Sequence, residues 1–135
     1  MEPVLTLVEM GFRDEETERA FREVMLRMET ELAGVAGCLE NRVYQRPGRR
    51  YLFFTVWEDR AAIQRWVDNE FHRTVLMVNF RRWTDEGWFS YWDMLEDHNR
   101  VRKCAACGRW ASGQPGWSAK GPTACARCGA PLVKD

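Results

Sequence analysis

Cys104, Cys107, Cys125 and Cys128 form two C-x2-C pairs separated by 17 residues, the ligand pattern of a closed tetrahedral metal site. Two thiolates three residues apart reach one ion from a single tight turn. Each pair is followed by a glycine, Gly108 and Gly129, where a turn can take positive φ without a steric penalty. The competing readings are two disulfides or four independent thiols. The paired spacing favours a metal, and the opening MEPVLTLVEM carries no secretory signal that would place the thiols in an oxidising compartment. Zinc closed by four cysteines has no open coordination position, so its expected role is structural. A thiolate iron centre uses the same ligands but usually spaces its pairs further apart.

A second set of residues could bind and transform a flat molecule. Trp66 and His72 lie six residues apart, and six aromatics fall within residues 80–92. Candidate catalytic groups are His72 and Trp66. Candidate pocket residues are Asn41, Tyr44 and Tyr91, which bring polar atoms, and Phe53, Trp57, Trp88 and Trp92, which supply ring walls. The helical period sets a condition on this grouping. At about 100° per residue, His72 sits about 120° around a helix from Trp66. Both can face one pocket only if the helix bends near Asn69-Glu70; otherwise Trp66 is core and His72 a surface or capping residue. No nucleophile elbow, phosphate-binding glycine loop, dinucleotide fingerprint or paired metal carboxylates occur.

The elements that must position these residues follow from periodicity. Val4 to Phe12 alternates as a strand, with Val4, Val8, Met10 and Phe12 on one face and Leu5 and Leu7 on the other. Asp14 is the expected N-cap of a helix whose stripe is Phe21, Val24, Met25, Met28 and Leu32, ending at Gly34 to Gly37. Pro47-Gly48 suits the centre of a type II turn, so Cys38–Arg46 and Arg50–Trp57 should pair as a hairpin. Asp59 should cap a second helix through Ile63, Trp66 and Phe71. Asp85-Glu86-Gly87 breaks that pattern, and Trp88 to Leu95 reads as a last strand. The order βαββαβ is ferredoxin-like α+β, with helices over one sheet face. Large apolar groups on the other face call for a partner, and two such sheets face to face make a dimeric α+β barrel.

The segments GVAGCLENRVYQ and YLFFTVWEDRAAIQRWVDNEFH, with looser agreement over about 4–95, resemble the antibiotic biosynthesis monooxygenase family. The tail CAACG…CARCG resembles a zinc ribbon, which a typical family member lacks. The family resemblance implies small homodimers that include cofactor-independent quinone-forming oxygenases and haem-degrading enzymes, with a pocket between helices and sheet. Haem degradation fits less well. The first-strand asparagine of haem-degrading relatives corresponds to Met10, and their axial histidine to Val75-Leu76, leaving only His72. The resemblance therefore implies an oxygenase or tailoring enzyme acting on an aromatic or otherwise oxidisable small molecule, without flavin or nicotinamide and with structural zinc. The alternative is a non-catalytic barrel that holds a ligand or haem while the ribbon recruits a protein or nucleic acid.

The zero net charge divides unevenly: residues 1–98 carry −6 and residues 99–135 carry +6. This division supports a core domain over 1–98 and a four-cysteine module over 99–135. The basic module is expected to dock on the acidic body of its own or a neighbouring subunit rather than on nucleic acid, with Trp110 and Trp117 as packing residues. His98, just before the first pair, reads as a linker residue. No window resembles a membrane span, and the expectation is a cytoplasmic protein.

Overall fold

The computed structural model describes residues 3–93, 99–115 and 120–132. The chain forms two compact units, Met1–Met94 and Leu95–Asp135. The first contains β1 (Val4–Phe12), α1 (Glu15–Ala33), β2 (Cys38–Arg46), β3 (Arg50–Trp57), α2 (Arg60–Val67), a π-helical turn (His72–Leu76), α3 (Met77–Trp83) and β4 (Thr84–Asp93). The four strands make an antiparallel sheet in the order β2-β3-β1-β4. This is the ferredoxin-like α+β arrangement.

Local chemistry explains the element ends. Asp14 accepts the Thr17 N–H at 2.8 Å while Thr17 Oγ1 accepts the Asp14 N–H at 3.2 Å, a reciprocal cap. Gly34 ends α1 in the right-handed region, and the left-handed residue is Gly37, at φ 90. A Cβ at Gly37 would meet the Ala62 side chain at 2.6 Å, so both backbone and space require glycine there. The hairpin turn carries positive φ at Gly48 (82) and at Arg49 (58). Arg49 is anchored by three bonds to the end of β1: its carbonyl accepts from Phe12, and its guanidinium donates to the Phe12 and Arg13 carbonyls.

Facing residues of an antiparallel sheet point to the same side, so the register sorts the two faces. Under the helices lie Val4, Val8, Met10 and Phe12 of β1 with Tyr51, Phe53 and Trp57 of β3. Phe12, Phe21, Tyr51 and Phe53 pack there with ring centroids 4.9–5.7 Å apart. Tyr51 also ties α1 to the sheet, donating to Glu18 Oε2 and accepting from Arg22 Nε, both at 2.9 Å.

The opposite face carries Leu5, Leu7, Leu52, Tyr44, Trp88 and Trp92. Trp88, Trp92 and Tyr44 are about half exposed. Charged residues on this face pair within the chain: Arg46 with Glu9 at 2.7 Å, and Arg50 with Glu86 through bonds of 2.7 and 2.9 Å.

Two sequence expectations change. β4 begins at Thr84, so Asp85-Glu86-Gly87 is strand rather than a break, and a register shift near Gly11/Phe12 absorbs the irregularity. The expected second helix is three pieces, divided at Asp68-Asn69 and at the π turn. The end of the expected last strand at Leu95, together with His98 and Trp117, lies outside the described residues.

The second unit contains β5 (Asn99–Lys103) and β6 (Trp110–Pro115), an antiparallel pair. Its core is Cys104, Ala111, Cys125 and Leu132. Trp110 is 67% exposed; it stands opposite Lys103 in the β5-β6 pair.

Candidate functional sites

The break after α2 decides where His72 goes. Asp68 and Asn69 close α2 through bonds to the Gln64 and Trp66 carbonyls. Asn69 Oδ1 then accepts the His72 N–H at 3.2 Å and starts the next helical run. The Val67 carbonyl, at the helix end, lies 3.3 Å from His72 Nδ1. A carbonyl only accepts, so this contact puts the proton on Nδ1 and leaves Nε2 as the basic nitrogen. The rings of Trp66 and His72 come to 5.0 Å. The bend that the sequence required for a shared site is present, made by a helix stop and a π turn. Burial lowers the His72 pKa below its ordinary 6.5, partly opposed by the Val67 carbonyl, and so favours the neutral ring.

Trp66 and His72 line a cavity of about 330 Å³ between helices and sheet. Its roof is Met28 and Leu32 of α1, Ile63 of α2, Leu76 of the π turn and Phe80 of α3. Its floor comes from all four strands, and Phe89 and Tyr91, about half exposed, stand on the β4 side. Arg60 lies over the Tyr91 ring at 5.4 Å and bonds Asp93 at 3.1 Å. Among the described residues, no Arg, Lys, Asp or Glu lines the cavity.

Of the residues named from sequence, Asn41, Phe53, Trp57, Trp66, His72 and Tyr91 line this cavity. Tyr44, Trp88 and Trp92 do not. Their register places them on the opposite sheet face, because side chains alternate along a strand and the odd and even positions cannot share one pocket.

Sequence reasoning also missed Thr6 and Thr55, both about 95% buried. Trp57 Nε1 donates to Thr6 Oγ1 at 2.8 Å, and Thr55 Oγ1 donates to Asn41 Oδ1 at 2.9 Å. The available signal was a polar residue at an inward position of an otherwise apolar strand.

In the second unit the four cysteine sulfurs lie within 4.8 Å of one another. Two contacts are 3.6 Å (Cys104 to Cys128) and 3.7 Å (Cys107 to Cys125), and no disulfide joins them. Sulfurs at about 2.3 Å from a tetrahedral ion stand about 3.8 Å apart, so the set suits one metal ion. The two turns match closely. Gly108 and Gly129 have φ 74 and 75 and donate to the Cys104 and Cys125 carbonyls at 2.7 and 2.8 Å. The Cys128 and Arg127 backbone N–H groups stabilise the Cys125 thiolate and lower its pKa to about 6.

A family model described as antibiotic biosynthesis monooxygenase matches residues 4–77. Among solved structures, a conserved protein from Methanosarcina mazei Go1 superposes with a TM-score of 0.62 at 14% identity, over 68% of this chain and 92% of its own. A putative antibiotic biosynthesis monooxygenase from Nitrosomonas europaea gives 0.61 at 12% identity, over 69% and 90%. A variant of SnoaB, a cofactor-independent oxygenase from Streptomyces nogalater, gives 0.61 at 13% identity, over 71% and 96%. No curated protein matches the chain. At these identities the structural neighbours share the fold.

Proposed function

Because the chain belongs to the antibiotic biosynthesis monooxygenase family, we propose that the cavity beneath Trp66 is the site of an oxygenase acting on a flat, oxidisable aromatic molecule. The observation that carries this reading is His72, its Nδ1 held by the Val67 carbonyl and its Nε2 left as a base, at a cavity that no Arg, Lys, Asp or Glu lines among the described residues. Nε2 takes a proton from a ring CH2 whose carbanion is delocalised into a phenol or carbonyl. That electron pair reduces O2 as a C–O bond forms, giving a peroxide. Loss of water converts CH2 to C=O, so one oxygen atom stays in the product and the other leaves as water with both hydrogens. The substrate is the reductant. Walls that are apolar apart from one polar row across the floor favour this step by limiting bulk water around the carbanion, while the rings of Trp66 and Phe53 hold the substrate plane.

The second unit holds zinc as a structural ion through Cys104, Cys107, Cys125 and Cys128, which leave it no open position. The apolar sheet face, whose charges are already paired within the chain, is where a second copy packs to form the dimeric barrel.

Oxygen uptake by the purified protein with electron-rich fused-ring phenols bearing a ring CH2, in flavin-free buffer, tests the reading. Wild type should consume one O2 per product, and His72→Ala should be slower by about 10²-fold or more with its fold retained. Since burial holds the His72 pKa below 6.5, the rate should be level near neutrality and fall only as acid protonates Nε2. No uptake with any phenol that binds would overturn the oxygenase reading, and an unchanged rate in folded His72→Ala would remove the imidazole from the mechanism.

A further inference from the structure

Asn41 of β2 faces Thr55 of β3, Thr55 faces Thr6 of β1, and Thr6 faces Tyr91 of β4. The four residues make one row straight across the sheet, and all four line the cavity. The next row toward the hairpin turn is Val43, Phe53, Val8 and Phe89, wholly apolar. A row present only for packing would be expected to resemble its neighbour, because the buried Thr6 and Thr55 hydroxyls bring a desolvation penalty.

Within the row, the hydrogen bonds leave donors over. Indole N–H can only donate, so Thr6 Oγ1 accepts from Trp57 at 2.8 Å and keeps its own hydrogen for another partner. Asn41 Oδ1 is occupied by the Thr55 hydroxyl at 2.9 Å, which leaves its NH2 group available. Among the described residues, neither donor has a protein acceptor.

We propose that this row is a ligand-orienting subsite: Thr6 and Asn41 donate to the oxygen substituents of a flat, uncharged fused-ring ligand, and Thr55 and Trp57 hold those donors in place. Three observations define the ligand class. The leftover groups are donors, so the ligand presents carbonyl or phenolic oxygens, and because β3 lies between β1 and β2 the two donors rise from backbones two strand spacings, roughly 9.6 Å, apart. No cation lines the cavity among the described residues, so a carboxylate or phosphate would be buried without a counter-charge. A volume of about 330 Å³, about twice a site that accommodates benzene, suits about two to three fused rings. The placement of the acidic proton toward His72 rests on the oxygenase reading above; the hydrogen-bonding floor does not.

Anaerobic titration with 1,5-dihydroxynaphthalene, naphthalene and 1-naphthoate, followed by tryptophan quenching, tests the subsite with chemistry switched off. Wild type should bind the dihydroxynaphthalene about 10-fold tighter than naphthalene, the scale of one or two neutral hydrogen bonds, and 1-naphthoate weakest. Thr6→Val and Asn41→Leu each remove one of two separate donors and should each cut that preference to about 3-fold, and Thr6→Ser should retain it. Thr6→Val also removes the acceptor of the Trp57 indole and loses stability, so the folded Asn41→Leu and Thr6→Ser proteins carry the test if it fails to fold. Equal affinity for dihydroxynaphthalene and naphthalene, tightest binding of naphthoate, no binding of any probe at millimolar concentration, or a preference kept whole in Asn41→Leu would each overturn the subsite. A preference that behaves as expected without oxygen uptake by any bound phenol would instead sink the oxygenase reading and leave the subsite standing.

Discussion

The two units of this chain are held together by different physics. The first buries Phe12, Phe21, Phe53 and Trp57 between one layer of helices and a four-stranded sheet, which is enough apolar area to order its backbone. The second has a core of Cys104, Ala111, Cys125 and Leu132, two of which are metal-ligand candidates. A segment of that size cannot offset its chain entropy by packing. Four cysteine sulfurs within 4.8 Å of one another could hold an ion that supplies the missing order, and the informative positions of this segment are cysteines and glycines rather than an apolar stripe.

Removing the metal should separate the units most sharply. Chelation, or Cys104→Ser, should unfold residues 99–135, for which structural zinc supplies an apparent 10–16 kcal/mol, roughly, at neutral pH. Amide NMR should lose dispersion in that segment and keep it in residues 4–93. Elemental analysis should give about one zinc per chain before treatment. Collapse of both units together would break the comparison.

Phe21→Ala is the converse perturbation. Phe21 is fully buried against Phe12, Tyr51 and Phe53, so its loss should cost about 3–5 kcal/mol of core stability. Denaturant unfolding followed by tryptophan emission should report that cost, while zinc content stays unchanged.

The smallest expected effect concerns the open sheet face. Sedimentation at micromolar concentration should give about twice 15.9 kDa. Leu7→Arg, placed at the centre of that face opposite Phe54 and Ser90, should weaken association by about 2 kcal/mol or more without unfolding the monomer. A wild-type monomer would show that this unit completes its packing alone.

Much was legible in the sequence because it rests on neighbours along the chain. The Asp14 and Asp59 caps, the α1 stripe, the β2-β3 hairpin and the paired cysteines are patterns of spacing within one element or one turn. Such patterns survive whatever the rest of the molecule does. The cavity was only partly legible. His72 and Trp66 were found as a pair, but their meeting depended on the stop at Asp68-Asn69 and the π turn beyond it. Tyr44, Trp88 and Trp92 have the right chemistry on the wrong face, a matter of strand parity that aromatic composition does not reveal.

By itself, then, the sequence determined the order of elements, the faces of the first helix and hairpin, and the two matched cysteine turns, since helical and strand periods and turn geometry act over a few residues. Only the tertiary structure decided which residues meet across the sheet. Asn41, Thr55, Thr6 and Tyr91 come from four strands and form one row through inter-strand register, which is set by long-range hydrogen bonding and core packing and leaves no mark on the residues between them.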